Sequence, residues 1–208
     1  MHKMYCDWSN ASAILRAYHD EEWGRPVVGD KEHFECLMLE ALLCGLSWAL
    51  IMKKREILRT CFDHFDFDKI ACYTEHDVQR IVSTEGMLRS VGKIKAVVEN
   101  AKCFQKIRQQ FGSFSAYLRD FAGGRTICYR GHAEGNIPVS NALSEKIAKD
   151  LKKRGFRYVG AITVYSYLQA CGIINDHDGD CPCFQKINDS VQSVQLDPDG
   201  EVGVANYR

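Results

Sequence analysis

Apolar residues return at steps of three and four along nearly the whole chain, and a chain so spaced must bury amphipathic helices against one another. Phe34, Leu37, Met38, Ala41 and Leu42 mark a helix from Asp30 to Cys44, and "GLS" breaks it before a second helix from Trp48 to Cys61. "TEHD" at 74–77 fits a capping box, followed by the buried stripe Val78, Ile81 and Val82. Ile94, Val97, Val98, Ala101, Phe104 and Ile107 line a helix ending near Gly112. Ser113 can then cap a helix carrying Phe114, Tyr117, Leu118 and Phe121, which Gly123 and Gly124 stop. Residues 125–138 have no period and read as a loop between two lobes. Ser140 can cap a helix bearing Leu143, Ile147 and Leu151, with Gly155 at its end and a last helix from Gly160 to Cys171. No alternating strand is evident. The expectation is an all-α fold in one domain over residues 1–186, with an extended or disordered tail over 187–208.

The 27 lysines and arginines balance 27 aspartates and glutamates, so no global field advertises a polyanionic partner and a nucleic-acid surface must be a local patch. No apolar run reaches the ~20 residues of a membrane span, and "MHKMYCDW" lacks a signal-peptide core. A cytoplasmic monomer without membrane contact is expected. Most of the ten cysteines lie inside helical patterns (Cys36, Cys44, Cys61, Cys103, Cys171), where reduced thiols behave as small hydrophobes.

Three constellations carry chemistry. "LKKRGFRYVG" at 151–160 lies between two predicted helices. Gly155 and Gly160 permit a tight turn, the second helix opens with unpaired N–H groups, and Lys152, Lys153, Arg154 and Arg157 add positive charge. Phosphate would bind well there, although a solvated basic rim would look the same. "AYHDEEWG" and "LEALLCGLSW" bring Tyr18, Trp23 and Trp48 together with Glu40, a carboxylate in an otherwise apolar helix that is costly to bury without a partner. "NDHDGDCPCF" places His177, Cys181 and Cys183 within seven residues, which reads as part of a metal site or as a surface histidine with free thiols.

These blocks, with "KKRE", "CFDHFD", "GKIKAVVENA", "ALSEKIAKDLKKRGFRYVG" and "QACG", run in order from Cys6 to Cys183. In that order they resemble the DNA-3-methyladenine glycosylase I family, bacterial enzymes that excise 3-methyladenine from alkylated DNA. The resemblance implies a helix-hairpin-helix glycosylase fold of two helical lobes, with the base pocket in the cleft between them. It implies a structural zinc ion joining the chain ends through Cys6, His19, His177 and Cys181, with Cys183 the rival to Cys181. It implies that Glu40 contacts the base, that Tyr18 and Trp48 pack against it, and that Trp8 and Trp23 form outer walls. The partners implied are double-stranded DNA containing alkylated bases and the released 3-methyladenine. Asp176 falls near the place where related glycosylases keep a catalytic aspartate; the resembling family lacks that aspartate, and Asp176 could instead support a zinc ligand. "YLQACGIIND" has no lysine for a Schiff base, so simple hydrolysis to an abasic site is implied. Leu43 stands where the family often has glutamine, which puts the polar lining of the pocket in question. The run Lys53, Lys54, Arg55 reads as a solvated helix face. A non-catalytic damage sensor of the same fold, or a zinc-stapled interaction domain, are the other readings.

Overall fold

The computed structural model describes residues 5–198 of the chain. Among them helices dominate. A 3-10 turn over Asp7–Ala11 leads into α1 (Ala13–Glu21), and α2 (Asp30–Leu43), α3 (Trp48–Lys53) and α4 (Arg55–Cys61) follow. Next come α5 (Phe67–Ile70), α6 (Glu75–Ser83), α7 (Val91–Phe111), α8 (Phe114–Ala122), α9 (Ala142–Lys153), α10 (Ala161–Ala170) and α11 (Pro182–Ser190).

The helix ends have local causes. Ser12, Ser47 and Ser113 each accept the backbone N–H three residues on, of Leu15, Leu50 and Ala116, which satisfies donors that a first turn leaves orphaned. The capping box expected at 74–77 is present, with the Asp77 carboxylate accepting the Thr74 N–H at 2.9 Å. The predicted Ser140 cap falls one residue later: Asn141 and Ser144 form a reciprocal box that starts α9. The helix expected over 48–61 is divided at Lys54 into α3 and α4.

Two short strands, which no alternation in the sequence announces, accompany the mostly helical, all-α architecture. β1 (Thr126–Tyr129) and β2 (Ser193–Leu196) pair in parallel, Thr126 opposite Ser193 and Tyr129 opposite Leu196. β1 also holds the segment after α10, since Ile127 N–H donates to Ile173 O at 2.8 Å and Asn175 N–H to Ile127 O at 2.9 Å. The expected loop therefore anchors the stretch carrying Asp176 and His177. The expected tail is likewise ordered at its start: α11 crosses the boundary at 186 and β2 follows, while residues 199–208 lie outside the described residues.

The buried residues form two clusters. The larger one draws on every helix from α2 through α10, with Phe34, Phe104, Phe114 and Tyr167 fully enclosed. The smaller gathers Cys6, Leu15, Tyr18, Trp23, Met52, Ala170, Cys181 and Cys183, and so ties the first helices to the start of α11. Phe104 and Phe114 stack at 4.4 Å between α7 and α8, and α9 packs directly on α10. No helix among the described residues is long and apolar enough to cross a membrane.

Candidate functional site

A cleft of about 650 Å³ opens where the smaller cluster meets α2 and α10. Its walls include Trp8, Tyr18, Trp23, Glu40, Leu43 and Trp48, so every residue expected at a base pocket lines one space. Tyr18 and Trp48 lie 5.3 Å apart between ring centres, and Trp8 meets Trp23 edge-on at 5.0 Å. Such rings offer flat apolar faces of the size of a purine.

Glu40 is the exceptional group. It sits in the third turn of α2, buried, and its Oε2 has no hydrogen-bond partner. Burial alone pushes its carboxyl up to about 8, because a charge removed from water without compensation is disfavoured. Burial also raises the Tyr18 phenol, helped by the nearby Cys36 and Glu40. Asp7, Asp176 and Asp178 line the same cleft, and among the described residues no lysine or arginine does. The space therefore suits a flat, positively charged guest and repels a phosphate.

Ser166 and Gln169 of α10, and Gly135 and Ile137 from the segment after β1, complete the walls. Sequence periodicity carried no signal for these four. Leu43 does line the cleft, with Ser166 and Gln169 as polar residues on the facing α10 side. Asp176 directs its hydrogen bonds away from the candidate metal ligands. His132 Nδ1 lies 2.7 Å from its Oδ1, while Tyr165 OH and Gln169 Nε2 donate to Oδ2 at 2.6 and 2.8 Å.

The residues expected to hold metal converge beside this cleft. Donor atoms of His19, His177, Cys181 and Cys183 all lie within 4.8 Å of one another, and all four residues are buried. His19 Nε2 is 3.5 Å from Cys181 Sγ. Cys6 stands beside Cys181, its Sγ accepting the Asp178 N–H at 3.3 Å. Each imidazole is held by one nitrogen: His19 Nδ1 is 2.7 Å from Asp20 Oδ1, and His177 Nδ1 is 2.9 Å from Asn175 Oδ1. His177 Nε2 is buried with no partner. Burial, with His19 and Arg25 nearby, pushes the His177 imidazole down to about 3, so it is neutral and ready to donate a lone pair. Gly24, at φ +78°, makes room for that ring, since a Cβ there would stand 2.6 Å from His177 Cε1. Two thiolates, two imidazoles and oriented outer partners fit a closed tetrahedral zinc site. The hydrogen-bond partners of the two imidazoles are thus Asp20 and Asn175 rather than Asp176.

The basic turn also forms, with one change of membership. Lys152, Lys153, Gly155 and Arg157 are exposed, and Gly160 caps α10 with no side chain covering the first N–H groups. Arg154 faces the protein. Its Nε donates to Asp150 Oδ2 at 2.5 Å and its Nη1 to Gln110 at 2.7 Å, and the guanidinium lies over Phe111 and Tyr117. Those contacts engage Nε and Nη1 and hold the guanidinium against the protein. Arg55 likewise departs from the solvated face expected of residues 53–55, pairing with Glu22 and Glu35.

The family model for methyladenine glycosylases matches residues 8–185. DNA-3-methyladenine glycosylase 1 of Escherichia coli K12 is 39% identical over 179 residues, covering 86% of this chain and 96% of that protein. The Haemophilus influenzae DNA-3-methyladenine glycosylase is 35% identical over 178 residues, with the same coverage of 86% and 96%. A crystal structure of 3-methyladenine DNA glycosylase I superposes with a TM-score of 0.82 at 40% identity, covering 86% of this chain and 98% of that one. The Staphylococcus aureus enzyme, in a structure addressing 3-methyladenine recognition, does so with 0.80 at 34% identity, covering 85% and 94%. A match over so much of the chain, joined to this cleft, places the protein in the methyladenine glycosylase family.

Proposed function

We infer that the protein is a DNA-3-methyladenine glycosylase, which extrudes the alkylated nucleotide into the cleft and releases the base by hydrolysis. The observation that carries this reading is the buried, unpartnered carboxyl of Glu40 among aromatic rings. Methylation at N3 leaves adenine cationic, so it is already a good leaving group. As the glycosidic bond breaks, its electron pair passes to the base and neutralises it. Water adds to the sugar carbon and loses a proton, leaving an abasic site. Selection is the harder task. Ionised Glu40 pairs with the cation in a space that excludes water, which favours the lesion over neutral adenine. Tyr18 and Trp48 pack against the ring, and Trp8 and Trp23 wall the space. With no lysine on its walls, the cleft supports hydrolysis without strand cleavage.

The turn between α9 and α10 serves as a helix-hairpin-helix, gripping the DNA backbone through free N–H groups and Lys152, Lys153 and Arg157 without reading bases. Zinc is held by His19, His177, Cys181 and a further thiolate from Cys6, and its contribution is structural, stapling remote segments. The test is chromatography of bases released from methylated duplex DNA, with elemental analysis of protein purified without chelator. Free 3-methyladenine supports the enzyme. Tight binding without release selects the damage sensor instead, and absence of both selects an interaction domain.

A further inference from the structure

The segment that closes the metal site carries one thiol more than a tetrahedral ion requires. Four donors that come within 4.8 Å of one another are His19, His177, Cys181 and Cys183, while Cys6 sits next to Cys181 with its sulfur engaged by the Asp178 N–H. We propose that Cys183 is a fifth donor of the zinc centre, able to take the place of Cys6 in a set of four protein ligands. This rests on the zinc reading above.

Position favours Cys183 as a donor. Cys181 caps α11, Pro182 is its first residue and Cys183 its second, so both cysteines stand at the positive end of that helix. His177, Cys181 and Cys183 belong to one short segment, and closing so small a loop on an ion loses little chain entropy. Cys6, by contrast, is the residue before the turn Asp7–Ala11, and Cys6, Asp7 and Trp8 all line the base cleft. In the exchange the zinc–sulfur bond to Cys6 breaks, one to Cys183 forms, and the proton that Cys183 gives up is taken by Cys6.

Cobalt(II) in place of zinc reads the thiolate count, because sulfur-to-cobalt charge-transfer absorption rises with each sulfur bound. Full-length wild type, Cys6→Ser, Cys183→Ser and the double variant are titrated with cobalt alone. Both single variants should keep the wild-type intensity per cobalt, and the double variant should show half of it with at least tenfold weaker binding. Cys6→Ser already at the double variant's intensity overturns the proposal. As a second check, alkylation of zinc-loaded Cys6→Ser before and after chelation should deprotect Cys183 at least tenfold more than Cys61, which is buried in the main core. Equal deprotection overturns it too. Wild type that binds neither metal defeats the zinc reading itself, a distinct result.

Discussion

The side-chain amide of Asn100 pairs with both backbone groups of Arg157. Its Nδ2 donates to Arg157 O at 3.0 Å, and Arg157 N–H donates to its Oδ1 at 2.7 Å. Asn100 is fully enclosed in the middle of α7, so a rigid helix copies a strand partner for the basic turn. The neighbours agree. Tyr158 takes φ +57°, which a non-glycine residue adopts only when its surroundings hold it there. Gly155, at φ +99°, lies over Cys103 of the same helix.

Asn100→Leu keeps the bulk and removes both bonds. It should destabilise the fold by about 1 to 3 kcal/mol, lowering Tm by roughly 2 to 4 °C per kcal/mol. Affinity for undamaged duplex should fall about tenfold or more as the turn loses its shape. Binding of free 3-methyladenine should stay at the wild-type value, since the cleft is built from other elements. Equal losses in both titrations would mean general softening and would remove the positioning role.

The exposed lysines of that turn should act on DNA through charge alone. Replacing Lys152 and Lys153 by alanine should weaken binding alike on every duplex and reduce the logarithmic salt slope by about 0.9 for each phosphate no longer neutralised. Arg154→Ala should leave the slope unchanged and lower stability, because its guanidinium packs on Phe111 and Tyr117. A slope that falls with Arg154→Ala would place that side chain on DNA after all.

This contrast shows what the sequence could and could not disclose. Caps and periodic stripes are local, and so α2, α7 and α8 are legible from spacing, as is the convergence of Tyr18, Glu40 and Trp48 once a family pattern is recognised. β1 and β2 are four residues each and pair across a long separation, leaving no periodic trace. Whether a basic residue faces water depends on what stands opposite: Arg154 and Lys153 are adjacent in sequence, yet only Arg154 meets Asp150, one helical turn earlier, and Gln110. The hydrogen-bond partners of His19 and His177 escape for the same reason, since Asp20 and Asn175 carry no motif of their own.

Those outer partners should set metal affinity. Asp20→Ala frees His19 Nδ1 and should weaken zinc binding by about 10 to 100-fold in competition with a chromophoric chelator. His177→Ala removes an imidazole donor outright and should weaken zinc binding more than the Asp20 variant does, with a loss of thermal stability. Wild-type affinity in the Asp20 variant would show that His19 needs no orienting partner.

Glu40 ties recognition to pH. In the unfolded chain it ionises near its ordinary 4.5, whereas burial raises it to about 8 in the folded protein. Between those values the folded state holds a proton that the unfolded state has lost. The stability this group permits is therefore full below about pH 4.5 and declines as pH rises to about 8, where the decline levels off. Glu40→Gln cannot ionise, so the unliganded variant should be the more stable protein at pH 9, by an amount on the order of a few kcal/mol. Recognition should move the other way. A cationic lesion pairs with the carboxylate, so below pH 8 its binding must expel a proton, and excision by wild type should rise with pH until Glu40 is ionised. Glu40→Gln should lose about one to two orders of magnitude in single-turnover excision, the value of a charge-assisted hydrogen bond of roughly 1.5 to 3 kcal/mol. Its profile should also be flat through that rise. The measurements are single-turnover rates on methylated duplex from pH 6 to 9 and denaturant unfolding at the same pH values. A variant with wild-type rates and a wild-type profile would show that the carboxyl takes no part in choosing the base.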